Sequence, residues 1–162
     1  MINTLEINLN ELDEFGEQIS GEISPEIYQL PERDGKPLTG LKYDLYVQRF
    51  DNELLLRGKV STQFELVCVR TLKVFSQTVT IDSLAISIEI KDAIVDPTEQ
   101  LREEILVELP IDPRCDEGDE EMPCEIEEKY LALDKDQESD LEEKPADKPD
   151  DRWSALDQLD NL

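Results

Sequence analysis

The chain has 162 residues, among them 41 acids, 16 bases and no histidine, which gives a formal charge of −25 and a pI near 4.1. That length suits one ordinary domain with an appendage. The resulting field repels phosphate backbones and anionic membranes at long range, disfavours non-specific nucleic-acid binding and favours basic partners.

Glu6, Glu11, Asp13, Glu14 and Glu17 crowd the first twenty residues, where neither a secretory signal nor a transit peptide tolerates them. No apolar run approaches the roughly 20 residues that span a bilayer. Three cysteines, an odd number without a signal segment, suit a reducing compartment. A soluble, cytoplasmic protein is expected.

Leu5, Ile7 and Leu9 alternate with polar residues as a half-buried strand does. Asn10 then suits the cap of a short helical turn over Glu11–Phe15, stopped by Gly16. Ile19, residues 22–24 and residues 27–30 read as a short irregular strand that Pro25 and Pro31 limit to an edge, and PERDGKPLTG (31–40) reads as a loop. From Leu41 the period is two: Leu41, Tyr43, Leu45 and Val47 share one face, and Asp51–Asn52 turn the chain into a hairpin.

The stretch from Glu53 to Val74 organises the rest. After the punctuation of Gly58, Val60, Thr62, Phe64, Leu66 and Cys68 point one way, which makes Phe64 a core anchor and leaves Cys68 at the buried end. Two further strands are expected at Leu72–Ile81 and Leu84–Ile90, the latter alternating Leu84, Ile86, Ile88 and Ile90. Asp96, Pro97 and Glu99 then signal a helix start. Leu101, Ile105 and either Leu106 or Leu109 form its apolar stripe, Arg102, Glu103, Glu104 and Glu108 face water, and Pro110 ends it.

Charge divides the chain. Residues 41–96 hold eight acids and seven bases, whereas residues 113–162 hold 19 acids and six bases. The reading is an α+β fold: a mainly antiparallel, curved or barrel-like sheet with one packed helix at about 97–109 and an acidic, largely disordered C-terminal segment. Three parts follow: a β-rich domain over 1–112, an acidic cysteine-bearing segment and linker over 113–150, and a docking helix over 151–162. In that helix Trp153, Leu156, Leu159 and Leu162 make one apolar stripe, which either docks on a partner or folds back onto the chain's own sheet.

Chemistry-bearing residues are sparse. No nucleophile elbow, phosphate loop or histidine base is present, so enzymatic activity is not expected. Cys68, Cys115 and Cys124 are widely spaced and lack a fourth nitrogen or sulfur partner, so no cofactor, zinc included, is expected. Cys68 reads as a small buried apolar residue, and Cys115 and Cys124 as loop thiols or a reversible disulfide. The acid run DEGDEE (116–121) lacks calcium-loop spacing and reads as a solvated face. Arg57, Lys59, Arg70 and Lys73 either neutralise the protein's own acids or contact a phosphate backbone or acidic partner.

Four features, in order, resemble the YceD-like bacterial proteins associated with accumulation of large-subunit ribosomal RNA. They are the strand LRGKVSTQFELVCVR with Cys68 and Arg70, the helix end at Leu109 and Pro110, the segment from Cys115 to Cys124, and the terminal DRWSAL with Arg152, Trp153 and Leu156. Two departures stand out: Thr71 occupies the place of the second cysteine in the family's C-x-R-C, which weakens any idea that metal binding is a family property retained here, and Asp151 stands at its terminal proline. The resemblance implies a non-enzymatic ribosome biogenesis factor that meets basic ribosomal or assembly proteins, with limited contact to ribosomal RNA. An acidic adaptor or nucleic-acid mimic unrelated to ribosomes is the alternative, and a magnesium-dependent RNA-processing enzyme is the third reading.

Overall fold

The computed structural model describes residues 3–130. The expected linker over 134–150 and docking helix over 151–162, with Arg152, Trp153, Leu156 and Leu159, lie outside the described residues. The fold is α+β, with antiparallel strands and one α-helix. In chain order the elements are β1 (Ile7–Asn8), β2 (Glu17–Ile23), β3 (Lys36–Pro37), β4 (Leu41–Phe50), β5 (Glu53–Val67), β6 (Val74–Glu89), β7 (Ile94–Val95) and α1 (Thr98–Val107). One compact unit extends through Glu127, past residue 112; of the unit that begins at Glu128 the structure describes a single 3-10 turn, Glu128–Tyr130.

β5 is the spine of the main sheet. One of its edges pairs with β4 and then with β3, the other pairs with β6, and β2 adds to the outside of β4. Among the described residues β2 and β6 do not pair with each other, so the sheet is open. The hairpin between β4 and β5 turns at Asp51–Asn52 as the sequence indicates, with Asp51 at φ +53°. Leu41, Tyr43, Leu45 and Val47 are buried, and so are Val60, Thr62, Phe64, Leu66 and Cys68. Phe64 is fully enclosed, with the Tyr28 ring edge-on at 5.1 Å, and the Tyr28 hydroxyl is hydrogen bonded to Thr62.

The two strands expected after Leu72 are one. β6 runs for 16 residues and pairs with β5 throughout, apart from a register shift opposite Lys59. Val60 faces Ile81 and Gly58 faces Leu84, so Asp82 and Ser83 together stand opposite one residue, which is a β-bulge. The inward set is therefore Phe75, Val79 and Ile81 before the bulge and Leu84, Ile86 and Ile88 after it. Gly58 is part of the same joint and lies inside β5. Its φ is +152°, and a Cβ there would sit 2.1 Å from the Asp44 carbonyl oxygen.

Smaller differences have local causes. The first strand shrinks to Ile7–Asn8, paired with β7 in a separate two-stranded sheet. Residues 11–15 form turns instead of a capped helix, because Asn8 and Asp13 side chains accept from the backbone N–H groups two residues on. Asp96 does accept from the Thr98 N–H, at 2.9 Å, but Pro97 occupies the cap position and α1 starts one residue later. Glu99 pairs with Arg102 in place of closing a capping box. Arg102 does not simply face water: it is half-buried and donates to the Tyr28 carbonyl at 3.1 Å. Leu101 and Ile105 are fully buried, and α1 lies against β5, β6 and the 3-10 turn Pro25–Tyr28. Leu106 and Leu109 are both partly buried against the same core.

Candidate functional site: a three-cysteine cluster

The turn from Val67 to Val74 joins β5 to β6. Its backbone is fixed by the Cys68 N–H donating to the Lys73 carbonyl and the Leu72 N–H donating to the Cys68 carbonyl, both at 2.9 Å, with Leu72 at φ +57°. This closure folds residues 69–72 back over Cys68. The Val69 N–H then donates to the Pro113 carbonyl at 2.9 Å, so the chain returning from α1 through Leu109 and Pro110 is tied to the same turn.

The next segment is latched to the sheet by Asp119. Its N–H donates to the Ser76 carbonyl, and its carboxylate accepts from the Thr78 N–H, the Thr78 hydroxyl and Gln63 Nε2, at 2.8 to 2.9 Å. Partial burial would raise its pKa, but the hydrogen bonds from Gln63 and Thr78 outweigh that and hold it below the usual value. Gly118 makes the approach feasible, because a Cβ there would come within 2.6 Å of the Phe75 ring and 2.8 Å of the Ser76 carbonyl oxygen. The acid run is therefore not a uniformly solvated face: Asp119 is a structural acceptor.

Between turn and latch the three thiols meet. Cys68 Sγ lies 3.5 Å from Cys124 Sγ, the Thr71 hydroxyl lies 3.6 Å from Cys115 Sγ, and all three sulfurs fall within 4.8 Å of one another. Cys68 and Cys115 are buried and Cys124 is half-buried. Burial pushes the Cys68 thiol up. It is overcome by hydrogen bonds from the Thr71 hydroxyl and from the backbone N–H groups of Thr71, Cys115 and Arg70, which bring Cys68 down to about 6. Burial pushes Cys124 up to about 11, reinforced by the Cys68 and Cys115 sulfurs beside it. The arrangement is thus one sulfur prepared to carry charge, with two more in contact range.

The sequence spacing that suggested separate loop thiols did not register this convergence, and neither Thr71 nor Asp119 figured among the expected site residues. The signals that could have found it are the matching x-x step from Cys68 to Thr71 and a glycine before an acid within an otherwise undifferentiated acidic run.

The four basic residues do not form one patch. Arg57 and Lys59 lie mid-strand on the polar face of β5, where Lys59 is paired with Asp82 at 2.8 Å. Arg70 and Lys73 sit in the turn beyond Val67, about 25 Å further along the strand at the usual rise. Both are exposed, beside exposed Val69 and Leu72. No family model, no curated protein and no solved structure matches the chain.

Proposed function

We propose that this chain is a non-enzymatic ribosome biogenesis factor of the YceD-like kind, acting in the bacterial cytoplasm to promote accumulation of large-subunit ribosomal RNA. It works mainly through contacts with basic ribosomal or assembly proteins, with limited contact to the RNA itself. One observation carries the reading: the three cysteines of the resemblance come together in space at the turn that holds Arg70. Cys68 and Arg70 occupy the turn after β5, Pro113, three residues past Pro110, accepts from the Val69 N–H, and Cys115 and Cys124 stand near Cys68. Scattered short strings that match by chance have no reason to build one locality.

The charge distribution fits the partners named. An acidic protein attracts basic ribosomal proteins and accelerates their encounter in a salt-dependent way. The turn carrying Arg70 and Lys73 with exposed Val69 and Leu72 offers a small basic and apolar tip where RNA or an acidic surface is tolerated. The test is sedimentation of the tagged full chain through a gradient of cell extract. Co-migration with large-subunit precursors, reduced in an Arg70→Glu, Lys73→Glu variant, is expected. Recovery with non-ribosomal basic proteins alone would replace this reading with an acidic adaptor, and RNA cleavage dependent on magnesium and on the chain's carboxylates would replace it with an enzyme.

A further inference from the structure

We propose that Cys68, Cys115 and Cys124 bind one Zn2+ ion, with an oxygen ligand supplied at Thr71. The geometry is the first ground. Zinc holds thiolates at about 2.3 Å, which places the sulfurs of a tetrahedral site about 3.8 Å apart. The Cys68–Cys124 separation of 3.5 Å and the overall span of 4.8 Å bracket that edge. Sulfurs at these separations are close enough to share one face of a tetrahedron.

The fourth corner has a resident polar group. Thr71 Oγ1 lies 3.6 Å from Cys115 Sγ. A hydroxyl is a weak zinc ligand, so the oxygen is either Oγ1 or a water that it positions. The site therefore has three sulfurs and one exchangeable oxygen, unlike the closed sets of four nitrogen and sulfur ligands usual in structural zinc sites.

The surroundings favour a soft divalent cation over other occupants. Thiolates select zinc over calcium or magnesium, whose ligands are oxygens. The turn fixes the Cys68 backbone on both sides, its N–H donating to the Lys73 carbonyl and its carbonyl accepting from the Leu72 N–H, the kind of outer support that orients a metal thiolate. The ligands come from segments 56 residues apart, and the Asp119 latch already holds the second segment in place. A metal here would fasten the β5–β6 turn to the segment that follows α1 and raise thermal stability in proportion to its binding.

The experiment uses the full chain, purified under reducing conditions with a histidine-free tag, since the protein has no histidine of its own. Elemental analysis and native mass spectrometry should find one zinc per chain. Replacement by Co2+ should give sulfur-to-cobalt charge-transfer absorption with the intense visible bands of tetrahedral cobalt. Cys124→Ser should weaken zinc in chelator competition by at least about tenfold. Thr71→Cys should strengthen it and move the cobalt spectrum to that of four thiolates. A chain that binds no stoichiometric zinc and gives only the weak absorption of octahedral cobalt would overturn the proposal, as would a Cys68–Cys124 disulfide under the same conditions or equal zinc affinity in all variants. Should a cysteine variant fail to fold, the cobalt spectrum of the unaltered chain still decides. Zinc binding without ribosomal co-migration would leave this site standing and overturn only the functional reading above.

Discussion

Replacing Phe64 with alanine tests the register of the central strand. The ring is fully buried, with the Tyr28 ring edge-on at 5.1 Å. Its backbone is fixed on both sides, opposite Pro37 of β3 and Gln77 of β6. A strand held on two edges cannot move in to fill the space, so the loss should lie toward the upper part of the usual range for Phe→Ala, about 4 kcal/mol. Phe64→Leu keeps most of the volume and should cost about 1 to 2 kcal/mol. Tyr28→Phe leaves the Thr62 hydroxyl, which is 1% exposed, without its partner, at a cost of about 1 to 2 kcal/mol. The control is Phe15→Ala: that ring is 80% exposed, and its removal should stay within about 0.5 kcal/mol. Urea denaturation followed by far-ultraviolet circular dichroism measures each variant, with an unchanged slope showing that the loss is in stability alone. If Phe64→Ala loses less than about 1 kcal/mol, the strand is out of register by one residue.

Gly58→Ala forces a side chain onto φ +152° and against the Asp44 carbonyl oxygen, and should destabilise by at least about 2 kcal/mol in the same denaturation experiment. Asp119→Ala removes three exposed hydrogen bonds and should cost about 1 to 2 kcal/mol while speeding alkylation of Cys115; Glu120→Ala should do neither. The alkaline limb of stability involves Tyr28, which burial raises to about 12 against the opposing Thr62 hydrogen bond and Arg102 charge. The unfolded chain loses that proton first, so this contribution is whole below about pH 10 and disappears as pH rises toward 12. Tyr28→Phe should flatten the stability profile in that window but not abolish the slope, because burial raises Tyr43 too. An equally steep profile in the variant would show that Tyr28 titrates as an exposed tyrosine.

Alternation made the buried faces of β4 and β5 legible, because each has a polar face opposite a core face and one phase throughout. β6 was harder. Its inward residues change parity between Ile81 and Leu84, and a parity change reads equally as a turn between two strands or as a bulge within one. The helix was visible from Asp96 and its stripe, but the half-burial of Arg102 depends on the Tyr28 carbonyl, 74 residues away, which no local pattern encodes. The cysteine cluster was invisible for the same reason. Cys68 and Cys124 approach only after a hairpin, a helix and an acidic loop have all taken their places. Composition marked residues 116–121 as one acidic run and could not distinguish Asp119, whose partners Gln63 and Thr78 belong to two different strands.

The bulge at Asp82–Ser83 also governs where the chain can change length. A residue lost from the interior of a strand ordinarily exchanges its faces from that point on, sending core side chains to solvent. In β6 the exception is the joint itself. With Ser83 removed, Asp82 alone would face Lys59 and Leu84 would still face Gly58, so Phe75, Val79 and Ile81 on one side and Leu84, Ile86 and Ile88 on the other would all keep their inward positions. The ladder would become regular, and the local bend that the extra residue imposes would be lost. A deletion at Thr80 or Ala85 has no such escape. Folded versions of this protein that differ by one residue within β6 should therefore have gained or lost it here.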